Sequence, residues 1–450
     1  MRKPIISLTA FALLFGAGAC VAQDTLWTRF LDLGDNTQIV SARCQGTDLF
    51  LGGAFLPTGS SNGLTYAARY SGTGDSLWVA TSGLDTFEMG GELVVGPDLS
   101  PYLWVRPGES QHGVLVKFGA DGETLWSKAC PGIPSAVLAA DTLSNCYLFG
   151  ARGDSLWFGR FDVSGNQTLD KTLSLGPSHE TGPACIASDQ GLVAGASIFD
   201  TTMTAVLVKL SGSGDTLWTR QYSESLAVFF AALAPGPLNT VYAVGTDVTG
   251  LKLLKFDSGG DTVWTTVLPQ SGLATDVAVD ASGNAYVAYS GRQDDFNLDK
   301  YGPDGDFLGT GHAAMPDIET PATVTLGSDG FPVVAGVAVD TSAGNFTRGF
   351  IVKFSGTPGW VLEPEVKRPA GPWRLIGTVS DGTRLGWQTG AAGEYRLSVF
   401  DPVGRYKCGT RAEVAAGRHS LALPGLCAGV YLVRIETNGA VHTGKFVVRK

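Results

Sequence analysis

Short apolar runs, several alternating with polar residues and most closed by Gly, Asp, Asn or Ser, fill this chain and predict brief strands joined by tight turns. Val114-Leu115-Val116-Lys117-Phe118, Gly119-Ala120-Asp121-Gly122 and Glu123-Thr124-Leu125-Trp126 read as strand, turn and strand, with glycine supplying the positive φ of a hairpin. Lys209 to Trp218 and Lys255 to Trp264 repeat the pattern. Upstream lies a second apolar strand pair, clearest in residues 274–288, where Ala281-Ser282-Gly283-Asn284 makes the turn. Two such hairpins make a four-stranded unit.

The unit recurs. A basic residue followed by an aromatic or leucine stands at Arg69, Lys117, Arg160, Lys209, Lys255, Lys300 and Lys353, with gaps of 48, 43, 49, 46, 45 and 53 residues. Four-stranded units at this period predict an all-β fold, a seven-bladed β-propeller. Tryptophan follows nine residues after the basic position at Trp78, Trp126, Trp218 and Trp264; Leu169 and Gly309 replace it in two copies. The seventh copy has Pro358 in its turn and Leu362 at the Trp position, which argues against a central strand there. Asp24-Thr25-Leu26-Trp27 is a good fourth strand without local partners. Residues 24–32 are therefore expected to complete the unit running from Thr323 to Phe354, closing the ring with an N-terminal strand.

Lys255-Phe256-Asp257-Ser258-Gly259-Gly260-Asp261-Thr262-Val263-Trp264 and the run from Val277 to Val287 resemble the bacterial seven-bladed propeller repeats. That resemblance implies a fold and no reaction, since members are mostly exported or surface proteins without an assigned chemistry.

Residues 363–372, rich in proline and charge, read as a linker, and alternating strands between residues 373 and 450 predict a small C-terminal β-sandwich. Three pieces of it are similar to the type A sorting domain of the type IX secretion system: Leu397 to Arg405, with Asp401, Gly404 and Arg405; Leu426 to Ile435, with Gly429, Val430 and Tyr431; and the end from Gly444 and Lys445 to Lys450. Gly371-Pro372-Trp373 stands where Pro-Asn-Pro usually opens such domains. The resemblance implies type IX machinery as partner, delivery to the cell surface or medium, and nothing catalytic. Cys408 and Cys427 fall on neighbouring expected strands or loops, a placement open to a disulfide.

Composition narrows the picture further. Sixty-one glycines, ten tryptophans and 16% charged residues suit many short strands, and a net charge of -10 argues against non-specific nucleic-acid binding. Arg2, Lys3 and the apolar run Ile5 to Phe15 read as an export signal cleaved after Ala22, with lipidation at Cys20 the lesser reading. The expected divisions are signal 1–22, propeller 23–362, linker 363–372 and sandwich 373–450. No later stretch is long enough to span a bilayer as a helix. The sequence has no CxxC, HxH or HExxH, so no metal or cofactor site is expected.

Repeat-register groups carry two readings. Asp75, Glu123, Asp215, Asp261 and Asp306 cap turns rather than ring a ligand, and the seven cations are expected to pair with carboxylates of neighbouring blades or to lie on the surface with their stems packed. Trp104 and Trp157 break register, as sugar platforms tend to. Asp280 to Asn284 is a hairpin turn, lacking the alternating oxygens of a calcium loop. The chain reads as an exported, non-enzymatic binding or display scaffold with a glycan or protein ligand on one face; the alternative is a secreted polysaccharide hydrolase or lyase with carboxylates at the channel mouth.

Overall fold

A computed structural model describes residues 25–84, 91–106, 112–174, 179–199, 203–222, 229–247, 250–268, 273–290, 296–311, 313, 318–340, 346–355, 374–376, 384–389, 393–400, 405–414, 417–422, 429–437 and 440–448. The expected export signal and linker lie outside these residues. The chain divides into two compact units, Met1–Leu362 and Glu363–Lys450.

In the first unit five four-stranded antiparallel sheets, each in chain order, span residues 93–130, 136–173, 179–222, 229–267 and 273–311. An eight-stranded sheet joins the two ends of the unit. Its last group is Ile318–Leu326, Pro332–Asp340 and Phe346–Phe354; its first group is Asn36–Gln45, Asp48–Leu56, Leu64–Tyr70 and Ser76–Thr81. These groups meet through one parallel pair, Asn36 with Thr347. Thr25–Leu31 pairs antiparallel with Phe346–Phe354, so Trp27 faces Lys353 as Trp78 faces Arg69 and Trp126 faces Lys117. A register shift sits beside the basic residue each time, at Arg69/Tyr70, Lys117/Phe118, Lys209/Leu210 and Lys255/Phe256, and at Thr25/Trp27 in the N-terminal strand. Such a bulge sharpens local twist.

The core lies between sheets. The residue after each basic position (Tyr70, Phe118, Phe161, Leu210, Phe256, Tyr301, Phe354) is buried. Tyr102 and Leu115 pack with Leu148 and Phe161 of the following sheet, and Ile39 and Leu49 of the first group with Val333 and Ile351 of the last. The first strands of successive groups also touch in order, including Ile318–Leu326 against Asn36–Gln45.

The second unit holds a three-stranded sheet (Arg374–Ile376, Arg384–Thr389, Gly417–Ala422) and a four-stranded sheet ordered Tyr406–Val414, Gly393–Phe400, Gly429–Thr437, Ala440–Val448. Alternate residues Tyr395, Leu397 and Val399, with Tyr431 and Val433, bury one face of the latter. Arg374–Ile376 and the polar strand Tyr406–Val414 were not expected from the sequence pattern.

Candidate functional site

The repeated cations bind within and between sheets. Four of the seven reach an acid in the first turn of their own sheet: Arg69 to Asp48 (2.5 Å), Lys117 to Asp98 (3.1 Å), Lys209 to Asp189 (2.5 Å) and Lys353 to Asp329 (2.6 Å). This corrects the expectation of a carboxylate from a neighbouring blade. What crosses to the next sheet is a hydrogen bond to a turn carbonyl, from Arg69 to Ala120 (2.6 Å), Lys117 to Val163 (3.3 Å), Arg160 to Gly212 (2.6 Å) and Lys255 to Pro303 (3.0 Å). Trp78, Trp126 and Trp264 donate their indole N–H groups to the same carbonyls of Ala120, Val163 and Pro303. Each ring lies over the turn glycine, and a Cβ on Gly122 would stand 2.8 Å from Trp78. Glycine is required there twice over, since its φ is +87°. Six of the seven cations are thus absorbed by these bonds, and Lys300 lies over the Tyr286 ring at 5.0 Å.

Most other singled-out residues are absorbed too. Trp104 and Trp157 are 3% and 1% exposed, core residues rather than sugar platforms. They break the repeat register because they fill space between sheets, Trp157 anchored by Asp170 (2.7 Å). Asp75, Glu123, Asp215, Asp261 and Asp306 are exposed at outer turns. Asp280 accepts from Ser282, Asn284 and the Asn284 amide, which makes the expected hairpin turn. His112 accepts from the Gly132 N–H, His312 lies outside the described residues, and so does the side chain of His179. Cys130, Cys146 and Cys185 are buried free thiols; burial raises Cys130 to about 11 and Cys185 to about 12, leaving them unreactive.

One register position stands apart. Cys44, Val95, Val279 and Leu326 face Leu49, Pro101, Ala285 and Pro332 at the ends of their first strands. Three residues earlier stand Ser41, Glu92, Asp276 and Thr323, whereas the other three sheets place Val137, Pro183 and Ala232 there. The polar residues come from consecutive groups and form an arc. Ser41 accepts from the Leu93 N–H (2.7 Å) of the next sheet, and Asp276 accepts from the Val324 N–H (3.0 Å) and the Thr323 hydroxyl (2.7 Å) of the next. Arg43 donates to Thr323 (3.2 Å) and to the Ala42 carbonyl (2.8 Å).

Glu92 does not follow that rule. Among the described residues its carboxylate has only Arg43, at 3.8 Å, and it keeps 25% exposure while Arg43 keeps 35%. Burial pushes the Glu92 carboxyl up to about 7, Arg43 pulling it down and Asp276 adding to the rise. Burial raises Asp276 as well, opposed by Arg43, the Thr323 hydroxyl and the Val324 and Val277 N–H groups. A carboxyl near neutral pKa beside a half-exposed guanidinium can donate, accept or exchange a proton with a bound molecule. No sequence motif marks Glu92. Only alignment of the first strands by register reveals it, as a departure from the repeat.

The C-terminal residues gather in part. Arg405 precedes Tyr406–Val414; Gly429, Val430 and Tyr431 open Gly429–Thr437; and Gly444 and Lys445 pair with Val433 and Leu432. Leu397 to Phe400 pair with the same strand, so three stretches distant in sequence share one sheet. Asp401, Gly404 and Cys427 lie outside the described residues, and with Cys427 the bridge to Cys408.

No family model and no curated protein matches the sequence. Among solved structures the chain is similar to a streptogramin B lyase (TM-score 0.52, 10% identity, 74% of this chain and 99% of that one). It is also similar to the WD40 repeats of RRP9 (TM-score 0.53, 12% identity, 74% and 100%). One neighbour is named for a reaction and the other for a repeat, and at such identities the likeness is one of fold: the first unit has the all-β fold of β-propeller proteins.

Proposed function

We propose that this chain is an exported, non-enzymatic binding scaffold, a seven-bladed propeller that recognises its ligand through Glu92 and Arg43 and is delivered by a C-terminal sorting sandwich. The count of seven rests on splitting the eight-stranded sheet at its single Asn36–Thr347 pair and assigning Thr25–Leu31 to the last group. Closure is supported by the core shared between the last and first groups. The sorting assignment is supported by the common sheet of the three motif stretches, and export by the N-terminal pattern of Arg2 to Ala22.

One observation carries the binding role. The arc's other polar groups are consumed by hydrogen bonds between sheets, while Glu92 and Arg43 keep capacity and exposure. Asp276, held by donors, is poorly placed to serve as a second catalytic carboxylate, which favours binding over two-carboxylate hydrolysis. The near-neutral Glu92 beside a cation favours a single alternative, lyase-type proton abstraction from an acidic polysaccharide. The test is a glycan-binding screen on the whole chain, with chromogenic and uronate polysaccharides assayed in parallel. Binding lost in Glu92→Gln and Arg43→Met without turnover in the parent is the expected result; turnover abolished by Glu92→Gln establishes the lyase instead.

A further inference from the structure

The first and last strand groups meet along the Asn36–Thr347 pair and a shared core. A cavity of about 260 Å³ opens there, lined on one wall by Cys44, Asp48 and Ser71 and on the other by Ser328, Asp329 and Lys353, with Trp27 at its side. The carbonyl that would receive the cation is Gly72 O, and Trp27 reaches it at 3.2 Å. The Lys353 ammonium remains on Asp329 at 2.6 Å. Lys209 also stays with its own Asp189, so the missing reach does not by itself make a site. Here it coincides with open volume.

We propose that this seam cavity binds a neutral pyranose sugar. Each charge at its wall already has an opposite partner, Lys353 with Asp329 and Asp48 with Arg69, so neither an anion nor a cation gains a free counter-charge. What the walls offer is a balanced set of donors and acceptors: carboxylate oxygens, an ammonium with N–H bonds to spare, the Ser328 hydroxyl and an indole, while the Ser71 hydroxyl is engaged with Thr73 and the Asp75 N–H of its own turn. Alternating hydroxyls and C–H faces suit that mixture, because indole covers the apolar face while charged groups bond the rim. The volume corresponds to about nine waters in the liquid, which suits one ring rather than an oligosaccharide. A sugar seated there touches both ends of the first unit at once and ties them together. This site is independent of Glu92 and Arg43, and stands or falls separately from them.

The test uses the whole chain with D-glucose, D-galactose and D-mannose, and glucuronate as the charged comparison. A neutral hexose is expected to bind with a dissociation constant on the order of 1 mM, read by calorimetry. Ser71→Trp fills the cavity and abolishes binding, whereas Ser211→Trp, at the equivalent turn of another sheet, leaves it intact. A measurement on the parent protein avoids dependence on either variant folding: Trp27, at the side of the cavity, belongs to the strand Thr25–Leu31 that pairs with Phe346–Phe354, and hydrogen exchange of the Thr25–Leu31 amides, followed by mass spectrometry, slows several-fold in saturating sugar. Failure of all three hexoses to bind, tighter binding of glucuronate, or unchanged amide exchange of Thr25–Leu31 in saturating sugar overturns the proposal.

Discussion

At the scale of single residues, Glu92 sets a pH dependence with a definite sign. Its carboxyl ordinarily titrates near 4.5 and is raised to about 7 in the fold, so the folded protein holds that proton more tightly than the unfolded chain. The stability linked to it is whole below pH 4.5 and is lost as pH climbs through 7. The loss is at most about 3 kcal/mol, because the side chain keeps contact with water. Denaturant unfolding between pH 5 and 8 is expected to fall in the parent and to flatten in Glu92→Gln; parallel curves for the two proteins would remove Glu92 as the titrating group. Nothing in the sequence around Gly91-Glu92-Leu93 announces this residue, since its meaning lies in what three other first strands place at the same level. Trp104 and Trp157 teach the converse. Breaking a repeat register looked like function in both and proved to be packing, because irregular spacing displaces a side chain without stating into what.

At the scale of elements, the outer hairpin with its bulge, turn glycine and stacked indole is the recurring part, and it was legible in advance. Glycine, basic residue and tryptophan keep their spacing because the indole stacks on the next turn's glycine and bonds a carbonyl there, which at Ala120, Val163 and Pro303 also receives the cation. The carboxylate partner was misassigned to a neighbouring blade, because spacing along the chain gives the hairpins but not which turn lies under a given ammonium. The same geometry makes Trp27 a measurable tie. Trp27→Ala removes a part-buried indole and its bond to Gly72, and is expected to lower stability by about 2–4 kcal/mol while speeding proteolysis near the N-terminus. Urea unfolding and timed digestion check both effects, and an unaltered protease pattern would argue that this strand contributes little to the seam.

At the scale of the whole molecule, the two units divide recognition from delivery in the reading offered above. Removing Gly444 to Lys450 deletes most of a strand paired with Gly429–Thr437, and the expected outcome is retention in the periplasm with the first unit still folded. Fractionation and protease protection of cells decide it; normal surface delivery would leave the C-terminal unit as a structural appendage. The fold of the first unit was written in periodicity, whereas its candidate sites arise where the repeat is broken, at Glu92 and at the seam. Pairing between Thr25–Leu31 and Phe346–Phe354 has a further consequence for the nascent chain. The strand Thr25–Leu31 must wait for one synthesised more than three hundred residues later, so the loop-closure entropy of nearly the whole unit is met in a single late step. Until then its unpaired edge stays available to chaperones.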